Sequence, residues 1–166
     1  MQILTLGNEL LRQKAEKVEK FNEETRILVR QMLEIINQEK GIGIAAPQIG
    51  IMKRIFVTHV QNDIERVFIN PSILETSQKT DKYEEGCLSV PGIYATIVRA
   101  ESIKVQAWNE KGRPFTLETS GLLARVIQHE LDHLNGTIFL DHLPEEKRDK
   151  FFAKFEKMKA KEKKAV

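Results

Sequence analysis

The hydrophobic period changes along this chain, and that change limits the folds open to it. Apolar residues recur at helical spacing near both ends of the sequence, whereas apolar and polar residues alternate through parts of its middle. A helix, then several strands, then two helices is the order of an α+β fold and not of alternating βαβ units. The pattern predicts helices over about 22–38, about 122–134 and from about 144 onward, and strands over 54–60, 67–69, 103–108 and 115–117.

The predicted helices carry start and stop signals of their own. Asn22 is a suitable N-cap, because its side chain can accept from a free backbone N–H of the first turn, and Gly41 follows this helix closely. Asn135-Gly136 ends the second helix, and Pro144 suits the first position of the third. These signals bound the three helices independently of the apolar pattern.

The last segment combines an apolar stripe with a basic surface. Phe151, Phe155 and Met158 recur at helical spacing, which predicts a helix that packs on the body of the protein through one face. Residues 150–166 contain seven lysines against two glutamates, a local excess of five positive charges. These lysines predict either a solvated helix face with a frayed end or a surface that contacts nucleic-acid phosphates.

Composition favours a single domain that spans residues 1–166. The chain is 41% hydrophobic and 30% charged, and its net charge of +2 is too small to indicate nucleic-acid binding by itself. No run of about 18 apolar residues is present, so we expect no membrane span. The sequence becomes polar directly after residue 7, which is too early for a secretory signal. Cys87 is the single cysteine and excludes an intrachain disulfide, so the expected compartment is a reducing cytoplasm.

Residues 128–133 contain the pattern H-E-x-x-H within a predicted helix. Residues four apart lie on one helix face, so His129 and His133 can both bind one metal ion. Glu130 lies one step around the helix, where it can reach a water on that ion without binding the ion itself. The pattern predicts metal-assisted hydrolysis, in which the ion lowers the pKa of the water and the carboxylate takes its proton. The alternative is an amphipathic helix with ordinary polar positions.

Two histidines leave such a site incomplete, because a catalytic metal usually takes three protein ligands and a water. Downstream, His142 and the acidic residues of the last helix are candidates, although they form no recognisable spacing. Upstream, Cys87 lies in a polar, acidic stretch and offers a thiolate suited to zinc or ferrous iron. Cys87 could instead be an inert core residue. The residue pattern alone leaves the third ligand open.

Residues 41–50 form a stretch rich in glycine and small residues. The spacing of its glycines superficially fits a dinucleotide-binding fingerprint, but a helix precedes the stretch and Pro47 disfavours a helical Ala46. We expect a loop whose glycines let the backbone approach a ligand closely, with the side-chain amide of Gln48 as a hydrogen-bond donor. An ordinary connecting loop is the alternative.

Together these three stretches resemble the signature motifs of the peptide deformylase family. The family pattern is G-x-G-φ-A-A-x-Q, then E-G-C-φ-S, then H-E-x-D-H, where φ is an apolar residue. Here the motifs are Gly41 to Gln48, Glu85 to Ser89 and His129 to His133, in the same order and with matching spacing. Every polar position matches, while Ile44 stands where many members have leucine. The resemblance extends over essentially the whole chain.

The resemblance implies an enzyme that removes the formyl group from the N-terminal methionine of new polypeptides and releases formate. It implies one divalent ion, Fe²⁺ in the cell with Zn²⁺, Ni²⁺ or Co²⁺ as substitutes, bound by Cys87, His129 and His133. It implies Glu130 as the general acid/base. The implied fold is the α+β deformylase type, in which antiparallel strands surround a central H-E-x-x-H helix, with an N-terminal helix and a C-terminal helix.

Oxyanion donors and substrate contacts are further implications. The resemblance implies that the Gln48 side-chain amide and the Leu88 backbone N–H stabilise the oxyanion formed at the formyl carbonyl. We expect the substrate to pair as an added strand with backbone groups of Gly43, Ile44, Pro91 and Gly92. We expect the methionine side chain in an apolar pocket lined by Ile44, Leu122 and part of Arg99 or Arg125.

The expected partners are nascent polypeptides with an N-terminal formyl-methionine, and we expect a monomer that docks on the ribosome through its basic C-terminal helix. A small metalloprotease is the nearest alternative, and it would cleave internal peptide bonds. A cysteine hydrolase that uses Cys87 with a histidine is another, and thiol alkylation rather than chelation would inhibit it. A non-enzymatic RNA- or ribosome-binding module would act through the lysine-rich tail.

Overall fold

The structure is a computed structural model and describes residues 1–165. The helices within these residues are α1 (Glu23–Gln38), α2 (Gly121–Leu134) and α3 (Glu145–Ala165). The strands are β1 (Gly43–Ala45), β2 (Ile55–Thr58), β3 (Arg66–Thr76), β4 (Thr80–Glu85), β5 (Ala95–Ala100), β6 (Ser102–Trp108) and β7 (Pro114–Ser120). Short 3₁₀ helices cover Glu9–Arg12, Ala46–Ile49 and Phe139–His142.

Five of the strands form one antiparallel sheet in the order β1-β2-β3-β6-β7. Strand β1 lies at the edge of this sheet, where Gly43 pairs with Thr58 and Ala45 pairs with Phe56 of β2. Within residues 1–165, the other side of β1 has no strand neighbour. The edge of β1 therefore offers backbone groups to an added strand.

Helices α1 and α2 cover opposite faces of the five-stranded sheet. Successive side chains of a strand point to opposite faces, and β2 shows the alternation clearly. Ile55 and Val57 join the buried cluster that contains the apolar face of α1, whereas Phe56 joins the cluster that contains Ala124 and Ile127 of α2. Full burial of each such side chain stabilises the fold by roughly 1.5–3 kcal/mol. Helix α2 is thus held against the sheet by apolar packing along one face.

Strands β4 and β5 form a separate two-stranded antiparallel sheet. Helix α2 contacts strands of both sheets and lies between them. Ile97 of β5 joins a third buried cluster with Phe139 and with Phe155 of α3. This cluster also includes Val90 and Ile93 of the loop between β4 and β5, so α3 packs against the segment that follows Cys87.

The C-terminal end of α2 is held in place by Arg54. The Arg54 guanidinium donates to the Leu134 carbonyl and to the Asn135 side chain, both at 3.0 Å. These bonds satisfy an acceptor that a helix end leaves free. Gly136 follows with a φ of +76°, and a Cβ at that position would collide with the carbonyl of Arg12. Both the positive φ and the lack of space require glycine at position 136, where the chain turns away after α2.

The predicted α+β fold is confirmed, and the bounds of α1 and α2 and the start of α3 lie within one residue of those predicted. Asn22 caps α1 as expected, since its side chain accepts from the Thr25 N–H at 3.1 Å. Phe155 of α3 is buried, and Phe151 and Met158 pack beside it. Val166, the last residue of the predicted basic tail, lies outside the described residues. Among the described helices, none has the length and apolar character needed to traverse a bilayer.

The strand prediction is wrong in three places. The strand predicted to end at residue 69 continues as β3 to Thr76, because a register shift lets it pass Pro71, which cannot donate to the ladder. The predicted loop over 41–50 contains β1 and a 3₁₀ helix. The prediction lacks β4 and β5. The side chains of β4 are exposed on both faces except at Glu85, so its sequence has no alternation, and the buried positions of β5 include Arg99.

Candidate metal centre and active cleft

Helix α2 carries the polar residues of the H-E-x-x-H motif into the interior. His129, Glu130 and His133 are only 8%, 4% and 1% exposed. Buried side chains of this kind are nearly always paired or bound to a metal. The apolar residues of α2 pack against the five-stranded sheet. The three polar side chains therefore lie on the opposite side of the helix.

Cys87 lies just after β4 and approaches the histidines of α2. Its Sγ lies 3.3 Å from Nε2 of His133. One ligating atom from each of Cys87, His129 and His133 lies within 4.8 Å of the other two. The backbone N–H of Ser89 also donates to the Cys87 sulfur at 3.4 Å. The structure thus brings together the three residues that the sequence resemblance implies as ligands.

Gln48 is oriented toward this cluster by two contacts. Its side-chain oxygen accepts from the backbone N–H of Ala45 at 2.9 Å, which fixes the direction of the amide nitrogen. That nitrogen lies 3.1 Å from Ser89 Oγ and 3.6 Å from Cys87 Sγ. Gln48 is 1% exposed, so its amide N–H groups are held against the cluster without competition from bulk water.

Glu85 is the central acceptor of a buried ion network behind His129. Its Oε1 accepts from His129 Nδ1 at 2.9 Å and from Arg99 Nη2 at 3.0 Å. Its Oε2 accepts from Arg99 Nε at 2.7 Å and from Arg125 Nη1 at 2.6 Å. Arg125 also donates to Asp81 at 2.6 Å. A carboxylate that fixes the second nitrogen of a ligand histidine is a common feature of metal sites.

The charges around the site shift several pKa values. Burial alone would raise the pKa of Glu85, but its bonds to His129 and Arg99 hold that pKa well below the ordinary value, so Glu85 is a carboxylate. Burial lowers the pKa of His133 well below 6.5, aided by the nearby charge of His129, which leaves His133 neutral as a metal ligand must be. For His129 burial acts in the same direction, but hydrogen bonds to Cys87 and Glu85 raise its pKa to about 10.

Glu130 differs from Glu85 because the positive charges near it offset its burial only in part. Burial raises the pKa of Glu130 to about 7, and the charges of His129 and Arg99 lower it only in part. Its Oε2 is buried and has no hydrogen-bond partner within residues 1–165. A carboxyl group that titrates near neutral pH can both accept and donate a proton under physiological conditions.

A cleft of about 500 Å³ opens onto this cluster. Its walls come from the edge of β1, from the loop between β4 and β5, and from the first half of α2. Most of the residues expected from the sequence line it, namely Gly43, Gln48, Cys87, Leu88, Pro91, Gly92, Leu122, Arg125, His129 and Glu130.

Three residues considered from the sequence lie elsewhere. Ile44 is fully buried in the cluster between the sheet and α1, and it does not line the cleft. Arg99 does not line the cleft either, because its guanidinium is committed to Glu85 and to Asp132 at 2.9 Å. His142 contacts Asp132 at 2.7 Å and is not part of the three-residue metal cluster, so the downstream ligand candidate is wrong.

Sequence reasoning missed the roles of two carboxylates. Glu85 lies in the motif E-G-C-φ-S, but only the fold shows that it supports His129 across 44 residues of sequence. Asp132 lies in the H-E-x-D-H motif and had no assigned partner, whereas here it accepts from Arg99 and His142. No local pattern predicts either contact, since the partners come from separate strands and helices.

The residues present fit a divalent metal ion. One thiolate and two imidazoles form a donor set suited to Zn²⁺ or Fe²⁺, and three protein ligands leave a position for water or substrate. The unpaired Oε2 of Glu130 belongs to the residue that follows His129, at the position where a water activated by the ion needs a base. Glu85 supplies the supporting carboxylate that such ligand histidines require.

Comparison with known proteins identifies the family. A family model described as polypeptide deformylase matches residues 1–149. The chain belongs to the peptide deformylase family. A peptide deformylase from Neisseria meningitidis serogroup C is 46% identical over 159 residues, which cover 95% of each chain. Another, from Prochlorococcus marinus, is 48% identical over 147 residues that cover 85% of this chain and 71% of the relative.

Solved structures of peptide deformylases have the same fold. The crystal structure of a peptide deformylase from Legionella pneumophila superposes with a TM-score of 0.91 at 40% identity, covering 97% of this chain and 96% of that chain. Peptide deformylases are metallohydrolases that remove the N-formyl group from nascent peptides. The chain is therefore an enzyme of N-terminal protein processing.

Proposed function

We propose that Cys87, His129 and His133 hold one divalent ion and that Glu130 moves the proton when formyl-methionine is deformylated. The observation that carries this proposal is the convergence of three ligating atoms within 4.8 Å, next to a buried carboxylate. When bound, the ion supplies Lewis acidity to a water and to the formyl carbonyl. We propose Fe²⁺ in the cell, since thiolate and imidazole ligands suit it, with Zn²⁺, Ni²⁺ or Co²⁺ as substitutes.

Glu130 acts as both base and acid in this proposal. Its Oε2 takes a proton from the attacking water and returns it to the amine that leaves, and the products are formate and a free N-terminus. The pKa of about 7 supports both steps, because the group accepts and releases a proton near neutral pH. A second acid is not required.

Gln48 and Leu88 are proposed to stabilise the oxyanion that develops on the formyl oxygen. The Gln48 amide is preorganised, because its own oxygen is held by the Ala45 N–H and its nitrogen faces the metal cluster. Leu88 follows Cys87 directly, so its backbone N–H belongs to the same segment as the ligand sulfur. One such donor is worth roughly 3–4 kcal/mol of transition-state stabilisation.

The substrate backbone is proposed to extend the five-stranded sheet at the edge of β1. Gly43 and Ile44 belong to the strand that has no neighbour on its outer side within residues 1–165, and Gly43, Pro91 and Gly92 line the cleft. Backbone pairing gives affinity without reading side chains. Such binding suits an enzyme that serves many different nascent chains.

The methionine side chain is proposed to lie in the cleft against Leu122 and the aliphatic part of Arg125, both of which line it. The sequence-based pocket also included Ile44 and Arg99. We replace that assignment, because the Ile44 side chain belongs to the core and the Arg99 guanidinium to the ion network.

The whole chain is proposed to act as one catalytic domain, a monomer of the cytoplasm that meets its substrate at the ribosome. Helix α3 packs through Phe155, and its exposed lysines face away from that core. Exposed lysines favour contact with ribosomal RNA phosphates, and such contact weakens as salt rises.

Anaerobically purified protein, assayed on formyl-Met-Ala-Ser with metal analysis, tests the proposal. We expect release of formate with one divalent ion per chain, no cleavage of unformylated Met-Ala-Ser, and loss of activity on chelation. The variant Cys87→Ser should retain less metal than the wild type. Cleavage of internal peptide bonds would indicate a protease, and inhibition by thiol alkylation but not by chelators would indicate a cysteine hydrolase.

A further inference from the structure

Asp132 has no part in the proposed reaction, although it lies between the two ligand histidines in the sequence of α2. Its side chain is 25% exposed and its Oδ2 accepts two hydrogen bonds. One comes from Arg99 Nη1 at 2.9 Å, and the other from His142 Nε2 at 2.7 Å. Asp132 therefore joins a half-exposed histidine to the buried ion network.

The network leads from Asp132 to Nδ1 of His129, the ring nitrogen opposite the one proposed to bind the metal. Arg99 donates to both oxygens of Glu85, through Nε at 2.7 Å and through Nη2 at 3.0 Å. The second of these bonds ends on Oε1, which is the oxygen that contacts His129 Nδ1 at 2.9 Å. The path from Asp132 to the imidazole thus passes through one guanidinium and one carboxylate.

Arg125 cannot replace Arg99 in this path. Its bond to Glu85 ends on Oε2, the oxygen that does not contact His129, while Nη1 also binds the carbonyl of Ile97 and Nη2 binds Asp81. Arg99 is therefore the arginine that orients Oε1. The side chain of Arg99 is 4% exposed, and Asp132 holds the one guanidinium nitrogen that Glu85 leaves free.

We propose that Asp132 is a positioning residue for His129. Asp132 accepts from Nη1 of Arg99 and so holds the guanidinium where Nε and Nη2 bond both oxygens of Glu85. Glu85 in turn holds Nδ1 of His129, which keeps the other edge of the ring turned toward Cys87. This inference rests on the proposed function, because it requires that His129 bind the metal. Partners that orient a ligand histidine commonly change metal affinity by 10- to 100-fold.

The test compares Co²⁺ binding by the variants Asp132→Ala and Asp132→Asn with that by the wild-type enzyme. Asp132→Ala removes the acceptor of Arg99, so we expect the dissociation constant for Co²⁺ to rise at least ten-fold and the visible ligand-field bands to shift. Asp132→Asn keeps an oxygen at the same place, so it should lie between alanine and wild type. Thermal unfolding in the presence of chelator reports on folding separately.

Asp63 provides the matched control. Its side chain is 22% exposed and also pairs with an arginine, Arg66, and within residues 1–165 no hydrogen bond or ion pair joins these two residues to Cys87, His129 or His133. Asp63→Ala should bind Co²⁺ within two-fold of wild type with unchanged bands. If Asp132→Ala does not fold, Asp132→Asn carries the test, with an expected weakening of at least three-fold.

Co²⁺ binding within two-fold of wild type and unchanged bands in every folded Asp132 variant would overturn the inference. An equal loss in Asp63→Ala would overturn it too, since the effect would then be general destabilisation. If wild-type protein itself binds no Co²⁺ through Cys87, the proposed function fails instead. Loss of the sulfur-to-cobalt charge-transfer band in Cys87→Ser distinguishes these cases.

Discussion

At the residue scale, Gly43 determines how much room the Glu130 carboxylate has. A Cβ on Gly43 would stand 2.9 Å from Val126 Cγ1 and 3.0 Å from Glu130 Oε1. Both distances are shorter than ordinary van der Waals contact, so any side chain at position 43 must displace Val126 or Glu130 of α2. The glycine thus lets the edge of β1 lie directly against Glu130, the residue proposed to move the proton.

The variant Gly43→Ala tests this close approach. We expect kcat/KM on formyl-Met-Ala-Ser to fall about 10- to 100-fold with metal content unchanged, because a displacement of the general base by a fraction of an ångström to 1 Å costs this much. Gly41→Ala is the control, since a Cβ there meets only the flexible side chain of Leu88 at 3.1 Å and the Ile36 carbonyl at 3.9 Å. Its activity should stay within three-fold of wild type. Equal activities of wild type and Gly43→Ala would show that Glu130 has more freedom than this geometry implies.

Among the residues of the site, those related by local spacing can be predicted from the sequence, whereas those related by distant contacts cannot. The H-E-x-x-H spacing predicts that His129 and His133 share a helix face, because that relation is local. The pattern does not predict what Arg99 does. A buried arginine on an alternating strand looks like a pocket residue until the fold places Glu85 and Asp132 beside it.

At the scale of elements, α3 is attached to the active cleft through its apolar face. Phe155 is buried in the cluster that contains Val90 and Ile93, and a Cβ on Gly92 would collide with Met158. Lys159 donates to the carbonyl of Leu6 at 3.2 Å, so not every lysine of the helix is free for a partner. Deleting residues after about Met158 would therefore disturb the N-terminal segment as well as any ribosome contact.

Charge reversal tests the ribosome proposal without removing the helix. The triple variant Lys154→Glu, Lys157→Glu and Lys161→Glu changes exposed side chains and leaves Phe155 and Met158 in place. We expect co-sedimentation with ribosomes at low salt to fall at least ten-fold, since each lost phosphate contact weakens electrostatic binding. Deformylation of formyl-Met-Ala-Ser should stay within two-fold of wild type.

The same charge change at another place controls for net charge. Lys14, Lys17 and Lys20 are exposed on the segment before α1, and their reversal should leave ribosome binding nearly unchanged. If both triple variants lose binding equally, the tail has no special role. If neither loses binding, the basic helix is a solvated surface.

Elements differ in how far the sequence predicts them. Helices α1 and α2 are predicted to within one residue, because their caps and apolar stripes are local signals that agree with the tertiary packing. Strand β4 is not predicted, since its exposed side chains leave only backbone pairing with β5 to form it. Pairing partners distant in sequence leave no periodic trace in either segment.

At the scale of the whole molecule, two sheets enclose the helix that carries the chemistry. The five-stranded sheet packs against the apolar side of α2, and the two-stranded sheet brings Glu85 and the adjacent Cys87 to its polar side. The three proposed ligands come from α2 and from the segment after β4, so they meet only in the folded protein. Gly43 at the edge of β1 lines the same cleft as Cys87 and His129, so the proposed substrate strand would lie beside the proposed ligands.

The proposed role of Glu130 is tested most directly by comparing Glu130→Gln with the wild type in two readouts on the same preparation. We expect Glu130→Gln to keep one metal ion per chain and its thermal stability, because the proposed ligands Cys87, His129 and His133 are intact. We expect formate release from formyl-Met-Ala-Ser to fall at least 10³-fold, since glutamine cannot take the proton from the attacking water. Formate release within ten-fold of wild type by metal-loaded Glu130→Gln would contradict this role.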